Sequence, residues 1–379
     1  MITDIIHAAV FFGLAYTVFL MVVTTVEMRK KVLYLVQEHE LPPVSILKPL
    51  KGIDDQLEQN LRSFFTLDSP RFELLFGVND PDDPAIDLVK RIQKKYPEVD
   101  SKLIIDSRQV GLNPKINNLN NLYPLSTYQH LLISDSNVRV NNLYLKEMMG
   151  EYLKPNVGLV TSVFRGSQGK SFGAHLENLH LNTYIGPNVF AIKRLIGKSI
   201  TIGKSMLFSK EMIKKIKGFS ALSDFLAEDH MLGVYVKKAG FEIRNSTHII
   251  DNVNVNWPLE RFLNRHLRWA KMRRTLNLFH YLAEPLSNPV FIALIGLIGR
   301  PDLISVYTFL LASALKTIID VITARQLEAD SKWYHYLLIP FKDILIGFVW
   351  LVPFVDRKIS WRGNWFKISK GTRLYPITG

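Results

Sequence analysis

The chain of 379 residues contains no cysteine, which excludes disulfides, thiolate nucleophiles and Cys-ligated zinc, and leaves metals to oxygen and imidazole donors. Neither GxGxxG nor GxxxxGK[ST] occurs, so a dinucleotide fingerprint and a P-loop are both unsupported. No internal repeat and no low-complexity linker interrupts the sequence. Acidic residues are in deficit: 34 Asp and Glu stand against 47 Lys and Arg, for a formal net charge of +13. Such a balance suits nucleic acid, an anionic membrane face or phosphate-bearing ligands. The basic residues concentrate beside apolar runs and no nucleic-acid module is present, which sets nucleic acid aside.

Hydrophobic residues, by contrast, are abundant, at 47% of the chain. Residues 5–26, "IIHAAVFFGLAYTVFLMVVTTV", have the length and composition of a membrane-crossing helix and lead into Arg29, Lys30 and Lys31. The start carries Asp4 and no basic residue, so the run reads as an anchor rather than a cleavable signal peptide. The basic cluster behind it puts the following domain on the cytoplasmic side. Further apolar stretches fall at 289–299, 303–324 and 334–355. If all three crossed, the tail with Arg357, Lys358, Arg362, Lys367, Lys370 and Arg373 would end outside, against the positive-inside tendency. Two crossings are therefore expected, with the first stretch interfacial or re-entrant. Lys316 and Asp320, four apart, are spaced to pair on one helix face.

Between these regions, from about 42 to 250, β-branched runs alternate with amphipathic patterns: "PVSILKPL", a helix near 55–67, "FELLFGVND", a helix near 84–96, "SKLIIDS" and "HLLISDS". This predicts an α/β domain with a parallel sheet whose ligand crevice lies at the carboxyl ends of the strands. The loops there are "KPLKG" (48–52), "NDPDDPAID" (79–87) with Asp80, Asp82 and Asp83, and "SDSN" (134–137); "NPKINNLN" (113–120) adds Lys115, Asn117 and Asn118 as donors for a phosphate or nucleobase. Singly each is weak, since Asp-Pro loops are commonly solvated turns and Asp135 at a strand end reads equally as a cap or a ligand. "FLAEDHMLG" (225–233) sets Glu228 beside Asp229 at a helix start, either complementing the dipole or supplying a general base. "ERFLNRHLRWAKMRR" (260–274) repeats Arg261, Arg265 and Arg268 at helical spacing. Such a helix meets anionic lipid, worth about 1 kcal/mol per basic residue, or offers guanidinium forks to a diphosphate.

Taken in order, "ILKPLKG", "NDPDDPAID", "NPKINNL", "SDSNVRV", "AEDH" and "RHLRW" between two membrane regions resemble the ceramide glucosyltransferase family and its bacterial relatives over residues 42–275. The resemblance implies a GT-A glycosyltransferase, a Rossmann-like α/β fold with an N-terminal transmembrane helix and a C-terminal helical membrane region. It divides the chain into an anchor (1–30), a cytoplasmic GT-A catalytic domain (42–256), an interfacial helix region with the RxxRW motif (257–285), membrane segments (286–356) and a basic cytoplasmic tail (357–379). The implied partners are a UDP-sugar donor, a membrane lipid acceptor and the bilayer, with Mg²⁺ or Mn²⁺ as cofactor. Asp83, with Asp80 as second choice, would accept hydrogen bonds from uridine; Lys48 and Lys115 would donate to the nucleotide; Arg265, Arg268 and Trp269 match the RxxRW motif. Asp135 is the second aspartate of the family and the metal-facing or diphosphate-facing one, and Asn137 replaces the second acid of a DxD pair with a neutral oxygen that a hard cation accepts. Asp229 is the expected base, with Glu228 as its neighbour or orienter. Gly203 to Met206, within "ITIGKSMLFSK" (200–210), are placed along the donor sugar or the acceptor entrance, and 184–199 reads either as an interfacial acceptor-gathering element or as a surface helix. The expected reaction is inverting transfer of a hexose, glucose first, from a UDP-sugar to a lipid hydroxyl, with a ceramide-type acceptor favoured. Hopanoid or other lipid N-acetylglucosaminyl or glycosyl transfer is the alternative, and a processive polysaccharide synthase ranks lower because few spans are available to build a channel. The expected location is an integral membrane protein with its catalytic domain on the cytoplasmic face, at the inner membrane if bacterial.

Overall fold

The computed structural model describes residues 2–29, 41–69, 71–361 and 364–377; Lys30, Lys31 and Arg362 lie outside the described residues. The chain divides into two compact units, one of Lys30–Phe164 with Ile196–Val253, the other of Met1–Arg29, Arg165–Leu195 and Asn254–Gly379.

The first unit is built on an eight-stranded sheet. Its strands are β1 (Val44–Pro49), β2 (Phe72–Val78), β3 (Ser101–Ile105), β4 (His130–Ser134), β5 (Val138–Arg139), β6 (Val157–Ser167), β7 (Ser205–Ser209) and β8 (Glu242–Val253), in the order β3-β2-β1-β4-β7-β6-β8-β5. β1 is buried almost throughout because it is covered on both faces, which is why it reads as a continuous apolar run rather than an alternating one. It pairs in parallel with β2, Ile46 opposite Leu74, and with β4, Ile46 opposite Leu132. β2 and β3 are parallel as well, so the expected parallel sheet is present from β3 to β4. Beyond β4 the sheet is mixed: β7 runs antiparallel to β4 and to β6, and β5 antiparallel to β8. Apolar patterning reads the same in either strand direction, so it could not announce this reversal.

Helices close the faces of the sheet. Leu57–Phe65 buries Leu57, Leu61, Phe64 and Phe65 at helical spacing. Pro114–Leu122 opens with proline at its first turn, and its N-cap Asn113 accepts from the Lys115 and Ile116 backbone N–H groups. Leu47, Leu75, Ile133, Met206 and Phe208 from the strands and Leu119, Phe219 and Leu232 from flanking segments make one buried cluster. With β2 on one side of β1 and β4 on the other, the carboxyl ends of β1 and β4 lie side by side at the reversal of strand order, where open α/β sheets bind ligands.

In the second unit three helical stretches, Thr3–Arg29, Leu303–Gln326 and Trp333–Phe354, are long and apolar enough to cross a membrane. The stretch expected to be interfacial or re-entrant forms a pair, Leu278–Ser287 and Pro289–Gly299, bent by 78°. At the break the Asn288 side chain caps the second helix by accepting from the Phe291 N–H. Lys316 pairs with Asp320 as the spacing predicts, and also faces Asp343 at 3.7 Å; Lys342 holds Asp343 at 2.8 Å and donates to the Thr183 hydroxyl at 3.2 Å. Residues 165–195, expected within the catalytic domain, belong to this unit and carry the Phe172–His180 helix, a π-helical turn at Leu181–Ile185 and the Gly186–Ile196 helix. The basic tail folds over its described residues into a three-stranded antiparallel sheet of β9 (Lys358–Trp361), β10 (Asn364–Ile368) and β11 (Leu374–Pro376). Buried Lys271 secures its approach through Asp356 at 2.6 Å and the Lys358 carbonyl at 2.5 Å.

Candidate active site

At the carboxyl end of β4, Asp135 stands between two lysines. Its Oδ1 meets Lys115 Nζ at 2.9 Å and its Oδ2 meets Lys204 Nζ at 3.0 Å. Lys115, on the second residue of the Pro114–Leu122 helix, also reaches Glu228 Oε1 at 3.2 Å and donates to the Gly203 carbonyl at 2.8 Å. Burial alone would lower the Lys115 pKa, but the Asp135 and Glu228 carboxylates hold its proton above the ordinary lysine range. Burial would raise Asp135, but Lys115 and Lys204 keep it well below the ordinary carboxylate range. The result is a charged cluster at the carboxyl end of β4, with Lys115 tying together three segments distant in sequence.

The acidic pair splits into two environments. Glu228 is buried, paired with Lys115, and accepts from Asn113 Nδ2 at 3.3 Å; burial pushes its carboxyl up, with Lys115 opposing. Asp229 is half-buried and accepts from two backbone amides, Gly203 N–H at 2.7 Å and His230 N–H at 2.7 Å. The approach depends on glycine: a Cβ at Gly203 would stand 2.8 Å from Asp229 Oδ2. Two amide donors hold the Asp229 carboxylate in one orientation while leaving it accessible, as a general base requires.

Other expected residues are placed differently. Lys48 is fully buried in β1, donating to Ser134 Oγ at 3.2 Å and the Asp135 carbonyl at 3.0 Å and lying over the Phe64 ring at 3.6 Å. Burial holds its pKa well below the ordinary lysine value, and its contacts join β1 to the end of β4. Asp83 turns both oxygens to backbone, accepting from Gly52 N–H at 3.1 and 2.8 Å and from Ala85 N–H at 2.8 Å, so it clamps the loop after β1 to the loop after β2. Asp80 is exposed and accepts from the Asp82 N–H at 3.0 Å. Asn117 accepts from Val110 and Gly111, and Asn118 donates to the Gly77 carbonyl; both stabilise the frame that presents Lys115.

Arg265, Arg268 and Trp269 lie on the Leu259–Leu276 helix of the second unit. Arg265 Nη1 donates to the fully buried Glu177 at 2.7 Å, and His266 Nε2 shares that carboxylate at 2.8 Å. Burial would raise Glu177, but Arg265 and His266 hold it down at about 2. The Arg265 guanidinium also lies 4.8 Å from the Trp257 ring and 4.9 Å from the Trp269 ring, while Arg261 lies 4.3 Å from Trp257. Stacking and ion pairing fix the Arg265 plane. Neither Glu177 nor Lys204 belongs to a recognisable motif. The hint for Glu177 is a lone acid in "FGAHLENLH"; Lys204 falls within the Gly203 to Met206 stretch expected along the donor sugar or acceptor entrance, though not as a charge partner of Asp135.

A divalent cation on Asp135 and Asn137 needs their oxygens open to it. Both Asp135 oxygens carry a lysine, and Asn137 Oδ1 accepts from Lys204 Nζ at 2.9 Å while its amide donates to Asn252 Oδ1 at 3.0 Å. Among the described residues no three of His, Asp or Glu converge as a metal site. As arranged, this donor set does not fit a resident divalent cation.

The sequence model of glycosyl transferase family 21 matches residues 7–374. The chain is similar to two proteins of Caenorhabditis elegans: ceramide glucosyltransferase 3, 29% identical over 90% of this chain and 76% of that one, and ceramide glucosyltransferase 1, 28% identical over 88% and 73%. It is 24% identical to the ceramide glucosyltransferase of Komagataella phaffii over 65% of this chain and 59% of that one. Its fold resembles a mannosyltransferase from Pyrobaculum calidifontis solved with GDP-Man and Mn²⁺, with a TM-score of 0.52 at 16% identity, covering 92% of this chain and 99% of that one.

Proposed function

We propose that this chain, which belongs to glycosyl transferase family 21, is a membrane glycosyltransferase with a GT-A fold that moves a hexose, glucose first, from a UDP-sugar to the hydroxyl of a ceramide-type lipid with inversion. The observation that carries this reading is the pair of environments at residues 228 and 229: one acid buried on Lys115, the next held by two amides and accessible.

Asp229 takes the proton of the lipid hydroxyl as its oxygen attacks the anomeric carbon. The bond from that carbon to the β-phosphate oxygen breaks, and UDP leaves from the opposite face, which converts an α-linked donor into a β-linked product. Charge grows on the leaving diphosphate, and preorganised cations stabilise it better than mobile water can. Lys115 and Lys204 are the cations in place beside Asp135. Arg265, Arg268 and Trp269 are assigned to the diphosphate on the strength of the RxxRW motif, with Glu177 orienting Arg265. Glu228 orients Lys115, and Lys48 and Asp83 shape the nucleotide loops. The expected Mg²⁺ or Mn²⁺ would reach Asp135 and Asn137 only with Lys204 displaced. Basic residues behind the first span support a cytoplasmic catalytic unit.

The test is transfer of label from UDP-glucose or UDP-GlcNAc to ceramide, diacylglycerol or a hopanoid polyol by the full chain in detergent. Asp229→Asn is expected to lose at least about 100-fold in rate while still binding UDP. No labelled lipid with any pairing refutes the reading, and a long polymer product replaces it with a synthase.

A further inference from the structure

We propose that Lys204 is the built-in cation of the donor site: its ammonium occupies the point on which Asp135 and Asn137 converge, receives the UDP diphosphate there, and makes UDP binding independent of divalent metal. The inference rests on the UDP-sugar reading above and adds how that site handles charge.

The geometry is specific. Asp135 Oδ2 and Asn137 Oδ1 belong to one short loop, and both point at Lys204 Nζ, at 3.0 and 2.9 Å. A divalent cation bridging the same oxygens would sit about 2.0–2.1 Å from each for Mg²⁺, or a little further for larger ions. It and the ammonium therefore cannot occupy the place together. The surroundings favour the ammonium. The Lys204 side chain is 14% exposed and is fixed at its base by the adjoining strand β7, while the Asp135 N–H donates to the Lys204 carbonyl at 3.2 Å. The loop and the lysine thus hold each other through both backbone and side chain.

The other Asp135 oxygen already carries Lys115, so an incoming dication would meet a second, largely shielded ammonium as well. Asn137 brings no charge to offset that repulsion, in contrast to a second carboxylate, and its amide is committed to Asn252. A tethered ammonium needs no separate solute to be captured and dehydrated before the diphosphate arrives. Its flexible stem can follow phosphate oxygens as a point charge. Asp135 then serves to aim two lysines rather than to hold a metal.

The experiment measures UDP binding to the full chain in detergent by calorimetry, once in EDTA and once with MnCl₂, for the parent protein, Lys204→Met and Lys204→Arg. The parent Kd in EDTA is expected to stay within about threefold of its value with Mn²⁺, Lys204→Met to weaken Kd in EDTA by at least about tenfold, and Lys204→Arg to stay near the parent. Vacating the Asp135 and Asn137 oxygens should also let Lys204→Met regain affinity when Mn²⁺ is added. Unliganded unfolding midpoints are compared for all three proteins. A parent protein that binds UDP only with Mn²⁺ overturns the inference and leaves the glycosyltransferase reading standing. So does a folded Lys204→Met that matches the parent in EDTA. A parent that binds UDP under neither condition overturns both. Independently of any variant, the free Mn²⁺ EPR signal should persist when the parent protein is added without nucleotide; its loss at one equivalent, restored by Asn137→Ala, overturns the inference.

Discussion

Replacing Glu177 by Gln should destabilise the protein in a pH-dependent way whose size follows from the Glu177 environment. The carboxylate is fully buried, accepts from Arg265 at 2.7 Å and His266 at 2.8 Å, and is held at about 2 against an ordinary 4.5. At about 1.4 kcal/mol per pKa unit, that difference corresponds to about 3 kcal/mol of folding stability. A glutamine amide offers one acceptor and one donor to the same two neighbours. His266 can exchange tautomers and keep its bond, so the loss falls on the charged contact to Arg265. Because the folded pKa is depressed, the Glu177 contribution is complete above about pH 4.5 and disappears as pH falls through about 2, with roughly half gone near pH 3. For a unit of this size, at about 2–4 °C per kcal/mol, about 3 kcal/mol moves the unfolding midpoint by about 6–12 °C. Thermal unfolding of parent and Glu177→Gln, followed by tryptophan fluorescence in detergent from pH 7 to pH 3, should show that gap at neutral pH and a clear narrowing on acidification. A midpoint shift under about 1 °C at pH 7, or an equal gap at every pH, refutes the assignment of the buried charge to Glu177.

Gly203→Ala puts a Cβ 2.8 Å from Asp229 Oδ2 and removes the Asp229 carboxylate from its amide donors, so kcat should fall by about 10- to 100-fold with little change in KM for the donor; steady-state kinetics separate the two. In the membrane region, Asp320→Asn leaves Lys316 without its closest partner and should cost about 3–5 kcal/mol. The double change Lys316→Met with Asp320→Leu should recover most of that loss, and strictly additive unfolding midpoints would count against a mutually dependent pair.

How far the sequence could be read depended on whether a residue's partner was local. β1, β2 and β4 were legible because a strand buried on both faces writes an apolar run of its own, and the Asn113-Pro114 start of the helix carrying Lys115 is a local capping signal. The direction of β7 was not legible, since direction is decided by the path between strands and leaves no mark on composition. The same limit applies inside the site. Asp229 and Glu228 look alike in "AEDH", and only Lys115 and the Gly203 amide, arriving from other segments, leave one carboxyl buried on a lysine and the other half-buried and held by backbone amides. Lys48 and Asp83 occupy motif positions, yet their polar atoms turn to Ser134, Gly52 and Ala85, because a strand end and a tight loop each have backbone groups that must be satisfied before a ligand is met. "SDSN" is the sharpest case. Read alone, it resembles a metal pair short of one carboxylate; beside Lys204 it is an oxygen pair already matched to a single positive charge, which a neutral Asn137 suits better than a second aspartate would.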